Sequence, residues 1–149
     1  MYDSSSPCLV FMCVVGSEEL ILPGVMTQPT ACVAVFERRP YWGPELQRQF
    51  VARNVLVREC RSLSDLVPAT NDFAAAMILL DMDSAPADCL SWLGHQFREP
   101  LRRPVIACAS TDLADLEWTV REAGAIAFVG DEASGGELAR LCLRQLRLA

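Results

Sequence analysis

The chain has 149 residues, a hydrophobic share of 52% and a formal net charge of −6. That length holds one domain, or one domain plus a tail; the apolar content excludes disorder, and the charge argues against binding nucleic acid. All 13 basic residues are arginine, so the chain has no lysine.

Residues 1–30 are broken by Ser4-Ser5-Ser6-Pro7, Leu22-Pro23-Gly24 and Gln28-Pro29. They read as a poorly ordered N-terminal extension with one strand-like piece at Cys8–Val15. That apolar run is too short to cross a bilayer and lacks the basic flank of a signal peptide. From Ala31 onward, strand and helix signals alternate. Cys32–Phe36 is a short, β-branched run of the kind buried on both faces of a parallel sheet. Pro44 sits in the first turn of a helix expected to reach about Arg53, with Leu46 and Phe50 on one face. Val55–Cys60 is the second strand. Ser62 opens a short helix that Pro68 disturbs, and Ala74–Leu80 is the third strand, stopping at Asp81.

Ala87–Arg98 follows as a helix with Leu90, Leu93 and Phe97 on its inward stripe, and Pro104–Ala109 as the fourth strand. Ser110, Thr111 or Asp112 caps the next helix, whose stripe is Leu113, Leu116, Val120 and Ala123; Gly124 closes it. Ala125–Val129 is the fifth strand. Ser134 and Glu137 form a capping box that opens a last helix, with Leu138, Leu141, Cys142 and Leu146 inward. Five strands alternating with helices over residues 31–149 make a parallel sheet covered on both faces. Such sheets gather functional groups at the carboxyl ends of their strands. Here the residues just past the strands are Glu37, Asp81, Ser110 and Asp131.

Seven cysteines, an odd number without a C-x-x-C pair, read as buried small hydrophobes in a reducing cytoplasm. One histidine, His95, is too little for a zinc site or a His-based nucleophile. No P-loop and no G-x-G-x-x-G occurs.

Three stretches carry a resemblance: Ile78-Leu79-Leu80-Asp81 with Pro86 beyond it, Arg103-Pro104-Val105-Ile106-Ala107, and Glu122-Ala123-Gly124-Ala125-Ile126-Ala127-Phe128-Val129. At this spacing the chain from Ala31 onward resembles the receiver domain of two-component response regulators. The resemblance implies a flavodoxin-like, doubly wound sheet in strand order 2-1-3-4-5, and a signalling module rather than an enzyme. It makes Asp81 the candidate phosphoacceptor and Glu37, Asp81 and Asp83 the candidate ligands of Mg²⁺, the one cofactor it implies. In such a site the cation neutralises charge while a phosphoryl group moves, and a hydroxyl and a lysine hold its oxygens. Ala109 falls at the hydroxyl position with Ser110 beside it, Phe128 at the aromatic switch, and Asp131 where the family has lysine. Pro86 lies five residues after Asp81 instead of the family's four, which displaces a backbone metal contact.

The same residues also have plainer readings. Asp81 suits a position near helix N-termini, Glu37, Arg38 and Arg39 suit a solvated loop, Asp83 an exposed turn, Ser110 a helix cap and Phe128 the core. Charge decides between them. A phosphoryl group adds roughly −1.5 to −2, beside Glu37, Asp131 and Asp83 with no lysine to balance them. The expectation is therefore a phosphorylation-impaired pseudo-receiver that acts through a protein partner: a histidine kinase, a downstream effector or a second copy. Trp118, off the apolar stripe of its helix, is the interface candidate; neither nucleic acid nor membrane is expected as a partner. Two alternatives stay open: a working phosphoacceptor in a phosphorelay, and a flavodoxin-like domain that binds a small molecule.

Overall fold

Six consecutive buried residues, Ala31–Phe36, form the central strand β1. On one side it pairs with β2 (Val55–Cys60) and on the other with β3 (Ala75–Asp81). β4 (Val105–Ala109) and β5 (Ala127–Gly130) complete a parallel sheet in the order β2-β1-β3-β4-β5. This is the expected flavodoxin-like order, in a computed structural model that describes residues 27–148. The strand-like piece expected at Cys8–Val15 lies outside the described residues.

Side chains of successive strand residues leave the sheet on opposite faces, which divides the core in two. Val33, Val35, Met77, Leu79 and Ile106 pack under α1 (Trp42–Gln49) and α5 (Gly135–Gln145). Ala34, Phe36, Ile78, Leu80 and Ala107 pack under α2 (Leu66–Thr70), α3 (Pro86–Phe97) and α4 (Glu117–Glu122). Each fully buried aliphatic side chain contributes about 1.5–3 kcal/mol. The capping box forms as expected: Glu137 N–H donates to Ser134 Oγ at 3.2 Å and Ser134 N–H donates to Glu137 Oε2 at 2.7 Å.

Several expectations need correction. The first helix stops at Gln49 instead of about Arg53. Asn54 accepts Thr30 N–H on its carbonyl at 3.2 Å and donates its side-chain amide to Gln28 O at 2.9 Å, which turns the chain into β2. Phe97 is 48% exposed instead of inward; Arg102 covers its ring at 4.3 Å from the centroid. The single helix expected after β4 is a 3-10 segment, Thr111–Leu116, followed by the short α4. β5 begins two residues late, because Gly124 turns the chain at φ 113° and Ile126 N–H donates to Val105 O at 2.9 Å.

Among the described residues five cysteines are free and buried. Burial pushes the Cys32 thiol up to about 11 and those of Cys89 and Cys142 up to about 12, so they stay protonated and inert. Among the described residues no helix is long and apolar enough to cross a membrane.

Candidate functional site

β1, β3, β4 and β5 all run the same way, so the residues that follow them meet along one edge. Glu37, immediately after β1, is fully buried at 0% exposure. Its Oε2 accepts Trp42 N–H at 2.9 Å and its Oε1 accepts Gly43 N–H at 3.0 Å. These are orphan donors of the first turn of α1, which a carboxylate satisfies with charge assistance. The approach requires Gly43: a Cβ there would collide with the carboxylates of Glu59 and Glu37. Glu37 is thus a structural acceptor and not a solvated loop charge.

Asp81 ends β3, opposite Cys108 of β4, and is half-buried. Ser84 Oγ donates to Asp81 Oδ2 at 2.6 Å and accepts Arg38 N–H at 2.9 Å. One hydroxyl therefore ties the β1–α1 loop to the candidate acceptor. Burial is the main cause that raises the Asp81 carboxyl above its ordinary value, and the Asp83 and Glu37 carboxylates add to it, while the Ser84 hydroxyl pulls the other way.

Asp83, in the β3–α3 loop, reaches across to the β4–α4 loop. Its Oδ2 accepts Ser110 N–H at 2.7 Å and its Oδ1 accepts Ser110 O–H at 2.6 Å. Ser110 occupies the cap position of the 3-10 segment, but its hydroxyl makes no capping bond; Asp83 takes that hydroxyl. From the other side, Thr111 Oγ1 donates to Asp131 Oδ1 at 3.2 Å. Adjacent residues of the β4–α4 loop are thus held by aspartates of the two neighbouring loops.

These residues line a cleft of about 200 Å³ with Asp81, Asp83, Ala109, Ser110 and Asp131 on its walls. Arg39 lines it too, and both Arg38 and Arg39 line an adjoining cavity of about 390 Å³ beside Asp81, Asp83 and Ser84. The two arginines share that cavity with the candidate acceptor Asp81. Glu37 stands apart from the cleft, turned into α1. Among the described residues no three His, Cys, Asp or Glu side chains converge as a metal-ligand set. The donor chemistry agrees: Glu37 holds two backbone N–H groups, Asp83 holds Ser110 and Asp81 holds Ser84. As arranged, the three carboxylates do not converge on the octahedral site Mg²⁺ wants: Glu37 is turned into α1 and both oxygens of Asp83 hold Ser110.

The remaining site residues fall at separate places. Ala109 is buried and ends β4, opposite Gly130. Phe128 is half-buried, opposite Ala107, and packs on the α2–α4 side of the core. Trp118 projects from α4 at 72% exposure. Sequence reasoning missed Ser84 as the link between Arg38 and Asp81, and it missed the clamp that Asp83 builds with Ser110. It also missed the contact of Glu37 with α1, for which Gly43, six residues later, was the available signal.

No family model and no curated protein matches the sequence. Solved structures do match in fold. The receiver domain of the TMAO respiratory system response regulator TorR is 21% identical with a TM-score of 0.62, over 79% of this chain and 95% of that one. An orphan response regulator of H. pylori is 17% identical with a TM-score of 0.65, over 81% of this chain and 100% of that one. An atypical orphan response regulator, described with a phosphorylation-independent regulatory mechanism, is 15% identical with a TM-score of 0.64, over 79% and 97%. This chain has the receiver-domain fold.

Proposed function

We propose that this chain is a receiver-like signalling module that works through protein contacts and without phosphoryl transfer to Asp81. One observation carries the reading. Asp83 already holds both the N–H and the O–H of Ser110, in the loop where the resemblance implies that a hydroxyl meets a phosphoryl oxygen. A carboxylate built into the chain takes over that link. The absence of lysine, the extra anion Asp131 and the raised carboxyl of Asp81 support the reading. So does the similarity in fold to an orphan regulator described as phosphorylation-independent.

In this account residues 31–149 are the working module and residues 1–30 an extension. The module performs no reaction of its own and needs no cofactor. Its partner is a protein: a histidine kinase, a downstream effector or a second copy. Trp118 is its anchor, since a large exposed aromatic is the residue type that dominates binding energy at interfaces.

A second reading, a working phosphoacceptor at Asp81, draws support from Arg38 and Arg39, two cations beside that carboxylate. Incubation with Mg²⁺ and acetyl phosphate, followed by intact mass, separates the two. The first reading expects no added phosphoryl group. One phosphoryl group that disappears in Asp81→Asn would establish the second.

A further inference from the structure

A third concavity, of about 420 Å³, opens between the β2–α2 turn and α3, with Arg38 in its lining. Small-molecule sites typically run from about 300 to 1,000 Å³, so its size is that of an organic ligand and far beyond what inorganic phosphate needs. Asp88, Ser91, Trp92 and His95 line one wall; their spacing of three, four and seven residues puts them on one face of α3. Arg38 and Arg61 line the opposite side, and Phe36 lies at the floor.

The chemistry of this wall is lopsided. Arg38, Ser91 and His95 are exposed where they line the groove and Trp92 is half-buried there; among the described residues none of these four side chains makes a hydrogen bond. Arg61 is held in place, because its Nη1 donates to Glu37 O at 2.8 Å; its other terminal nitrogen lies 3.9 Å from Glu59, too far for a strong pair. Arg38 and Arg61 bring two guanidinium groups to a groove whose own lining holds one carboxylate, Asp88. Guanidinium forks match phosphate oxygens in pairs. A partly exposed indole offers a flat face for a heteroaromatic base and an N–H for its edge.

We propose that this groove binds a nucleotide-class ligand, with its phosphate on Arg38 and Arg61 and its base against Trp92. Arg38 also lines the cavity beside Asp81, so it is the one residue the groove shares with that site.

The test is titration of the ¹⁵N-labelled chain with AMP and with GMP. The reporter is the indole N–H resonance of Trp92, assigned by its loss in Trp92→Phe, with calorimetry for affinity. Saturable binding to one of the two is expected. Inorganic phosphate alone and nucleoside alone each bind more weakly by about tenfold or more. Arg38→Ala and His95→Ala remove exposed side chains without partners, so the fold stays; each weakens nucleotide binding by about tenfold. Arg144→Ala, on α5, leaves it unchanged. No saturable shift at millimolar nucleotide would overturn the proposal. So would equal affinity for phosphate or nucleoside alone, or wild-type affinity in both Arg38→Ala and His95→Ala.

Discussion

Asp83 and Ser110 are joined twice: one carboxylate oxygen takes the backbone N–H of Ser110 at 2.7 Å and the other takes its hydroxyl at 2.6 Å. The pair spans two loops that are 27 residues apart in sequence, and it fixes the rim of the cleft around Asp81. Its two halves make a specific prediction. Ser110→Ala removes one bond and costs about 1 kcal/mol, while Asp83→Ala removes both and costs more. The double variant is no less stable than Asp83→Ala alone, because nothing of the pair is left to lose. Urea denaturation of the four proteins measures this.

Glu37 yields the largest single loss at the strand edge. Glu37→Ala leaves Trp42 N–H and Gly43 N–H buried without acceptors. Hydrogen bonds to a charged group are worth about 1.5–3 kcal/mol each, so a loss of at least about 3 kcal/mol is expected. Glu37→Gln keeps one carbonyl oxygen and loses less. Chemical denaturation again reads the difference.

Asp81 makes stability depend on pH. Its carboxyl ionises above the ordinary value of 3.8 in the folded chain, so between the unfolded and folded values the native state holds the extra proton. The contribution of Asp81 is therefore greatest below the ordinary value and is lost as pH rises through the raised one. Asp81→Asn removes that loss and still accepts the Ser84 hydroxyl. It should raise the melting temperature at neutral pH, and the gain should shrink in acid. Thermal melts of both proteins from about pH 3, below the ordinary Asp value, to about pH 7 check the sign. A variant less stable than wild type at neutral pH would refute it.

Under the proposed reading, Trp118 separates binding from folding. At 72% exposure it contributes little to the core, so Trp118→Ala should change stability by less than about 0.5 kcal/mol. If the partner is a second copy, sedimentation of the variant shifts toward monomer. A loss of several kcal/mol would mean that the indole is packed.

The sheet was legible in the sequence because its signals are local. Cys32–Phe36, Ala74–Leu80 and Pro104–Ala109 are uninterrupted apolar runs, short enough to be strands buried on both faces instead of buried helices. The capping box at Ser134 and Glu137 was equally plain, since both partners lie within four residues. The site was legible only in its positions. Glu37, Asp81, Ser110 and Asp131 do stand at the strand ends, but what each carboxylate holds depends on loops distant in sequence. Nothing near Asp83 announces Ser110, and nothing near Glu37 announces the first turn of α1 except a glycine. Phe97 misled for a similar reason. Its helical spacing fits the stripe, yet the last turn of α3 outruns the core it would pack on, and Arg102 covers the ring instead.

The central claim is that the Asp83–Ser110 clamp sets the β4–α4 loop whatever happens at Asp81. The most direct measurement is the amide resonances of Ser110 and Thr111, recorded before and after addition of Mg²⁺ with beryllofluoride, a mimic of a phosphoryl group. The account predicts that both stay in place, in the wild type and in Asp81→Asn alike. A shift of these amides that spreads into α4 and vanishes in Asp81→Asn would contradict it.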